Sequence, residues 1–210
     1  AYASLDVDFI VCRHTLEHIA APFTFLRSIR DAIGNRRITV GFEVPDTTRV
    51  LEDGAFWDIY YEHCSYFTAQ SLRGVFERAG FEVVHESLEY DGQYLIIDAV
   101  PAQPRKPQPP IDLDGQISRG TAALSRSRVR WKDLLQAAAH KRTAIWGSGS
   151  KAVGFLTSLD LSHEAIPFVV DINPHKHGTY LPGTGQQIIP PQQLREYNPK
   201  IVIAMNPIYK

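Results

Sequence analysis

The segment 101–110 constrains the fold of this chain more than any other feature. It carries five prolines and two basic residues and has no apolar periodicity. Proline fixes its own φ angle and lacks a backbone N–H, so such a run forms an extended, semi-rigid connection rather than a helix or an interior strand. We therefore predict a folded part at 1–100, a proline-rich linker at 101–114 and a second folded part at 115–210.

The first part begins with the pattern of a βαβ unit. The apolar run 8–12 is typical of a buried parallel strand. Apolar residues at helical spacing follow it, with Thr15 as a predicted N-cap and Gly34 as the helix end. The segment 37–44 is then predicted to be the next strand.

A helix and a hairpin complete the first part. We predict a helix that is capped by Thr68 and ended by Gly80. The segments 81–90 and 94–100 alternate around Asp91-Gly92, which indicates an antiparallel hairpin at the edge of the sheet. Parallel strands finished by a hairpin are what the second half of a doubly wound sheet would contain.

The second part has the order of a smaller α/β domain. The composition of 117–139 favours a long helix. Strands are predicted at 142–146, 166–170 and 201–205, with a helix at 191–197 before the last of them. This order predicts a Rossmann-like domain.

Composition excludes several classes of function. The chain has 22 basic and 23 acidic residues, so its charge gives no reason to expect nucleic acid or an anionic membrane as a partner. No apolar run approaches the length of a membrane span and the first residues lack a signal-peptide pattern, which favours a cytoplasmic location. Cys12 and Cys64 stand alone, without the spacing of a disulfide framework or a structural metal site.

The segment 56–68 is the densest in groups that handle protons. It holds six aromatic residues, two carboxylates and one imidazole. Here His63 is a candidate general base, Glu62 a carboxylate that would orient it, and Tyr60 a phenol able to donate to a developing oxyanion. The alternative is ordinary, because a surface histidine beside a glutamate is common and aromatic clusters more often serve packing.

A glycine-rich turn follows the strand at 142–146. Gly147-Ser148-Gly149 would offer backbone N–H groups to an anion, and Lys151 would add a positive charge for a phosphate. Asp171 ends the next strand, where dinucleotide-binding folds place the acid that binds a ribose. Ala152 occupies the third glycine position of that fingerprint. The same turn also occurs as a plain tight turn, so both interpretations stay open.

Polar residues lie at two further places on the predicted sheet edges. His175 and Lys176 belong to a loop that would close over a phosphorylated ligand or simply be solvated. Arg13 and His14 end the first strand, where open α/β sheets hold their ligands, and we assign them to cofactor binding. Capping of the neighbouring helix is an equal alternative for His14, and Glu43 lies in the same row.

Several of these segments resemble a known family. "DFIVCRHTLEHIAAPFTFLRSIRDAI" resembles the fourth strand and following helix of class I S-adenosylmethionine-dependent methyltransferases. The run Tyr60-x-Glu62-His63-x-Ser65-Tyr66-Phe67 resembles the sugar C-methyltransferases of deoxysugar biosynthesis. "GSGSKAVGFL", "VVDINPHKHGTYLPGTG" and "IVIAMNPIY" resemble their C-terminal domain. The resemblance implies a partial class I methyltransferase doubly wound sheet followed by a smaller Rossmann-like α/β domain.

The resemblance also implies a reaction. In this family a base removes the proton next to a keto group of a nucleotide-linked sugar, and the resulting enolate carbon takes the methyl group of S-adenosylmethionine. His63 would be the base, Glu62 would position the base or the substrate, and Tyr60 would stabilise the enolate oxygen. The C-terminal domain would help to hold the nucleotide-sugar.

The resemblance further implies that the chain is a fragment. The family's glycine-rich donor loop, the acid that holds the adenosine ribose and a cysteine-rich zinc module all lie upstream of the fourth strand, and the chain starts just before that strand. We expect weak donor binding by this fragment and an exposed sheet edge that favours a homodimer. Two other functions stay open: a nucleotide-sugar or dinucleotide binding module without catalysis, and a NAD-dependent oxidoreductase.

Overall fold

The chain separates into two compact units. A computed structural model describes residues 7–106, 112–138, 142–206 and 208. The first unit comprises Ala1–Glu52 and Tyr61–Arg119, and the second comprises Asp53–Tyr60 and Gly120–Lys210. The short segment Asp53–Tyr60, from the middle of the predicted first part, thus packs with the second unit.

The first unit is built on a four-stranded sheet. Its described strands are β1 (Phe9–Arg13), β2 (Thr39–Pro45), β3 (Phe81–Glu89) and β4 (Tyr94–Pro101), and its helices are α1 (Pro22–Ile33), α2 (Thr47–Glu52) and α3 (Ala69–Ala79). The strand order is β1-β2-β4-β3, with β1 and β2 parallel and the other two pairings antiparallel. The predicted βαβ unit and the predicted hairpin are both confirmed.

Helix α1 starts later than the sequence pattern predicted. Thr15 precedes only a short 3-10 turn over Leu16–His18 and makes no side-chain cap hydrogen bond. The helix begins at Pro22, because a proline in the first turn loses no hydrogen bond and its fixed φ angle already suits a helix. Gly34 ends the helix as predicted, with a φ angle of 61°.

Helix α3 follows its sequence signals closely. The Thr68 side chain accepts a hydrogen bond from the amide of Ser71, and the Ser71 side chain accepts one from the amide of Thr68. This reciprocal capping box satisfies two donors that a helix start leaves without partners. Gly80 ends the helix in the left-handed conformation, as predicted.

Strand β1 was predicted to be buried, and this prediction is wrong. Phe9 and Val11 are 49% and 59% exposed, whereas Ile10 and Cys12 pack against the core of the unit. The strand lies at the edge of the sheet with β2 as its neighbour, and only one of its faces is covered. Its apolar composition therefore indicates a strand but does not indicate how deeply the strand is buried.

The second unit contains a parallel sheet. Its described strands are β5 (Thr143–Trp146), β6 (Phe168–Val170), β7 (Gln187–Ile189) and β8 (Ile201–Ala204), and the helices are α4 (Leu113–Ala137), which begins in the first unit, α5 (Ser150–Leu159) and α6 (Pro191–Tyr197). The strand order is β7-β6-β5-β8, with every pairing parallel. This topology confirms the predicted Rossmann-like α/β unit.

Three predicted boundaries differ from the structure or lie beyond what it describes. Helix α4 starts at Leu113 rather than at 117, and the predicted last residue, Ala139, is outside the described residues. Of the predicted linker 101–114, Pro101 ends β4, 102–106 belongs to no helix or strand, and 107–111 is outside the described residues. The last two residues, 113–114, already belong to α4, so the linker is shorter than predicted.

Each unit has its own apolar core. Phe42, Phe76 and Phe81 are almost fully buried in the first core. Phe56 joins Phe155 in the second, with ring centroids 5.7 Å apart. The segment Asp53–Tyr60 is thus held by aromatic packing. Among the described helices, none combines the length and apolarity needed to cross a bilayer.

Candidate functional site

Polar side chains gather at the carboxyl ends of β1 and β2. The Arg13 guanidinium donates to both carboxylate oxygens of Glu43, at 3.1 Å from Nε and 3.0 Å from Nη2. His14 Nε2 lies 2.8 Å from Oε1 of Glu43, and the His14 amide donates to the Glu43 carbonyl oxygen. Glu43 therefore engages both residues that we assigned to cofactor binding. Its hydrogen bond also raises the pKa of Arg13.

Glu17 lies next to this group and is almost completely buried. It is 2% exposed and its Oε1 lies 3.6 Å from Nδ1 of His14. Its Oε2 is buried and has no hydrogen-bond partner among the described residues. Through its backbone carbonyl, Glu17 accepts hydrogen bonds from the amides of Cys64 and Ser65. These two bonds bring the segment that contains His63 to the 3-10 turn after β1.

His63 is brought close to a carboxylate and a second imidazole. Its side chain is 9% exposed, and its ring meets that of His18 edge to face with centroids 4.9 Å apart. Glu17, His18 and His63 each present one donor atom, and these atoms all lie within 4.8 Å of one another. The candidate base therefore has the Glu17 carboxylate as a close neighbour.

Glu62 contributes to this cluster through its backbone. Nδ1 of His18 forms a 2.8 Å hydrogen bond with the Glu62 carbonyl oxygen, while the Glu62 residue itself is exposed. The structure also brings the Glu17 carboxylate close to His63, while the orienting role of the Glu62 carboxylate stays a prediction.

The two neighbouring tyrosines differ in exposure. Tyr61 is 98% exposed, whereas Tyr60 is half-buried. Tyr60 is the last residue of the segment that packs with the second unit. Of the two phenols, Tyr60 is thus the one that the fold shields from water.

Sequence reasoning missed Glu17 and His18 as site residues. Because they follow the predicted N-cap Thr15 directly, the sequence pattern places them in the first turn of a helix. Two signals could have found them: the dipeptide Glu-His occurs at 17–18 and again at 62–63, and the first copy follows a predicted strand end.

In the second unit the structure joins three of the predicted substrate-binding residues. The Ser148 amide donates to Oδ2 of Asp171 at 3.2 Å, and the Ser148 hydroxyl donates to the same oxygen. The Lys176 ammonium lies 3.3 Å from that oxygen and 3.2 Å from the Ser148 hydroxyl. The Asp171 carboxylate thus occupies the amide that we had predicted to bind a ligand anion.

These bonds control the charge of Asp171. Burial raises the pKa of this carboxyl, but hydrogen bonds from Ser148, from the Asn173 amide and from Lys176 outweigh burial and lower the pKa to about 2. Asp171 is therefore ionised throughout the physiological range.

The remaining predicted substrate-binding residues of the second unit make other contacts. The Lys151 ammonium forms an ion pair with the buried Asp58 carboxylate at 2.8 Å. Gly147 has a φ angle of +104°, which favours glycine, whereas Gly149 has no atom within 4 Å of where a Cβ would lie. His175 is exposed, and its amide donates to Oδ1 of Asn173 at 3.0 Å.

Comparisons with known proteins found matches to both parts of the chain. A family described as "Methyltransferase domain" matches residues 1–86, and one described as "C-methyltransferase C-terminal domain" matches residues 121–210. The chain is 29% identical over 179 residues to the C-methyltransferase NovU of Streptomyces niveus, covering 78% of this chain and 43% of that protein. The chain thus spans less than half the length of this relative.

A solved structure gives a weaker likeness. Magnesium protoporphyrin IX methyltransferase from Synechocystis PCC 6803, solved with bound SAH, matches with a TM-score of 0.36 and 14% identity, over 49% of each chain. A TM-score this low supports no inference. The two family matches follow each other in the order of a methyltransferase domain and its C-terminal domain. These matches support the resemblance of the chain to S-adenosylmethionine-dependent C-methyltransferases.

Proposed function

We propose that the protein methylates the carbon next to a keto group of a nucleotide-linked sugar or a similar activated ketone. The observation that carries this proposal is the convergence of His63, Glu17 and His18 next to the carboxyl ends of β1 and β2. Open α/β sheets hold their ligands at that edge. A nearly buried imidazole beside a buried carboxylate is suited to take a proton from carbon.

In this mechanism His63 removes the proton from the carbon next to the keto group. The electron pair of the broken C–H bond moves onto the keto oxygen and gives an enolate. The Glu17 carboxylate stabilises the positive charge that His63 gains, since the two groups are close and largely shielded from water. The Glu62 carbonyl oxygen fixes the orientation of the neighbouring His18 ring.

The developing oxyanion requires a hydrogen-bond donor. A proton next to a ketone is too weakly acidic for an unassisted imidazole, so the negative charge must be stabilised as it forms. We assign this role to the phenol of Tyr60. Its half-buried position supports the assignment, because a hydrogen bond strengthens where water is excluded.

Arg13 and His14 are the residues that would hold the methyl donor. S-Adenosylmethionine, when bound, supplies an electrophilic methyl group. A guanidinium beside a carboxylate fits the zwitterionic amino acid part of this donor, and Arg13 and Glu43 form such a pair with the Arg13 side chain 64% exposed. This chain's own residues thus offer charges that suit the group.

The second unit is proposed to hold the nucleotide part of the substrate. Asp171 stays ionised and accepts hydrogen bonds, so it suits a ribose hydroxyl better than a phosphate. Lys176 and His175 supply the donors and the charge for a phosphate in the same loop, next to the turn Gly147-Ser148-Gly149. The same residues favour the second candidate, a nucleotide-sugar binding module without catalysis.

Transfer of a labelled methyl group from S-adenosylmethionine to nucleoside-diphosphate ketosugars distinguishes the two candidates. We expect His63→Asn to lower turnover by at least about 100-fold, the usual loss when a general base is removed, with sugar binding unchanged. His85→Asn, an exposed histidine on β3, is the matched control and should keep full turnover. Wild-type turnover in His63→Asn would overturn the proposal, and sugar binding without any methyl transfer by the wild-type protein would favour the binding module.

A further inference from the structure

We infer that Glu17, His18 and His63 form a binding site for a divalent transition-metal ion of the zinc class. The inference concerns the site on which the proposed function rests. It assigns a second state to that site, in which a metal ion replaces the proton that His63 would otherwise accept.

The donor set is the first argument. Two imidazoles and one carboxylate are ligands that zinc and its neighbours in the first transition row prefer, and three protein ligands leave a position open for water. The three donor atoms all lie within 4.8 Å of one another. Ligands of one tetrahedral zinc ion lie about 3.4 Å apart, so a small side-chain rotation closes the set. His18 is exposed and can make this adjustment.

The state of Glu17 is the second, independent argument. Its Oε2 atom is the single buried side-chain oxygen or nitrogen for which the described part of the chain provides no hydrogen-bond partner. A carboxylate that is 2% exposed loses most of its hydration, and an unsatisfied oxygen there costs free energy. A cation held in the cluster would satisfy this atom directly.

The hydrogen bond of His18 to Glu62 sets the tautomer that a metal ligand needs. A carbonyl oxygen can only accept, so the 2.8 Å contact of Nδ1 with the Glu62 carbonyl requires the proton to be on Nδ1. The lone pair is then on Nε2. Metal-binding histidines typically donate their other ring N–H to a carbonyl or carboxylate in this way.

Metal binding and proton abstraction exclude each other at His63. Coordination uses the imidazole lone pair that would accept the substrate proton, and no electrons are transferred. A bound Zn²⁺ ion therefore blocks the base, and a chelator restores it. The site would make turnover sensitive to free zinc.

The binding test uses the purified protein and the metal alone. After treatment with a chelator, Zn²⁺ is titrated calorimetrically and Co²⁺ by its visible absorption bands. We expect the wild-type protein to bind one metal ion per chain. Each of the variants Glu17→Gln, His18→Asn and His63→Asn should lose this ion or bind it at least tenfold more weakly. His85→Asn and Glu89→Gln, at exposed positions of β3, are matched controls and should keep it.

The outcomes separate this inference from the proposed function. Equal metal stoichiometry and affinity in the wild-type protein and all three variants would overturn the metal site, whatever the methyl transfer assay shows. If Glu17→Gln does not fold, the exposed His18→Asn still provides the test. If the variants lose the bound metal ion but the wild-type protein transfers no methyl group, the metal site is supported and the proposed function is not. If the wild-type protein both binds the metal ion and transfers methyl groups, Zn²⁺ should inhibit turnover reversibly.

Discussion

At the scale of single residues, each unit has a buried or partly buried carboxylate that pairs with several polar side chains. Glu43 binds Arg13 and His14 in the first unit. Asp171 binds Ser148 and Lys176 in the second. The hydrogen bonds to Asp171 lower its pKa and keep it ionised, so it can contribute a fixed negative charge to ligand binding and to folding.

The hydrogen bonds of Asp171 predict a pH-dependent stability. A folded-state pKa of about 2, below the ordinary value of 3.8, means that Asp171 stabilises the fold above about pH 4, and that this contribution is lost as the pH falls toward 2. We expect Asp171→Asn to lower the free energy of unfolding by about 1 kcal/mol at pH 7, after allowance for solvent screening.

Urea unfolding between pH 7 and pH 2 measures this contribution. The difference between the wild-type protein and Asp171→Asn should shrink between pH 4 and pH 2. Asp160→Asn, at an exposed aspartate of the same unit, is the matched control. A difference that stays constant with pH would show that Asp171 does not stabilise the fold through its charge.

At the scale of elements, close packing explains why a glycine occupies position 154, which lies outside the predicted dinucleotide-binding fingerprint. A Cβ at Gly154 in α5 would lie 2.7 Å from the Trp57 carbonyl oxygen. The helix therefore approaches the backbone of the segment Asp53–Tyr60 closely. Contacts of this kind, together with the stacking of Phe56 on Phe155, attach that segment to the second unit.

Gly154→Ala should destabilise the protein even though alanine is the better helix former. Inside a helix the change would by itself stabilise by up to about 1 kcal/mol. The clash is with backbone, which cannot rotate away, so we expect a net loss of about 1 to 2 kcal/mol. Chemical denaturation measures it.

Gly149→Ala is the control for this measurement, because no atom lies within 4 Å of its Cβ position. Since Gly149 is the N-cap of α5, where alanine is less favourable than glycine, a small loss is expected, smaller than that of Gly154→Ala. If Gly154→Ala were as stable as the wild-type protein, the close approach of α5 to Trp57 would be refuted.

Helix ends and turns that are stabilised by neighbouring residues were predicted correctly from the sequence. The capping box at Thr68, the stop at Gly80 and the turn at Asp91-Gly92 are all satisfied within a few residues, and each was predicted correctly. Strand β7 was not predicted, since Gln187–Ile189 is a short strand that depends on pairing with β6. The start of α1 was predicted too early, because Thr15 precedes only a 3-10 turn and the helix begins at Pro22.

The candidate site was predictable only in part, because some of its residues are brought together by contacts between distant parts of the chain. His63 stands out in the sequence because its neighbours are aromatic and acidic. The role of Glu17 depends on hydrogen bonds to Cys64 and Ser65, which are far away along the chain. Sequence spacing does not carry that information, so tertiary structure was needed to find the carboxylate beside His63.

At the scale of the whole molecule, the chain consists of two units. Residues 1–86 match a methyltransferase domain, and residues 121–210 match a C-methyltransferase C-terminal domain. The first unit contains the cluster around His63, and the second contains the parallel sheet with Asp171 and Lys176. We propose that the first unit performs the proton abstraction and that the second contributes to binding of the nucleotide. This division of roles requires that His63 generates an enolate.

Exchange of the substrate's α-hydrogen with deuterium tests this claim most directly. A nucleoside-diphosphate ketosugar is incubated with the full-length protein in D₂O without a methyl donor, and nuclear magnetic resonance follows the loss of the proton next to the keto group. We expect the wild-type protein and His85→Asn to catalyse exchange, and His63→Asn to be slower by at least about 100-fold. Exchange by His63→Asn at the wild-type rate would contradict the account.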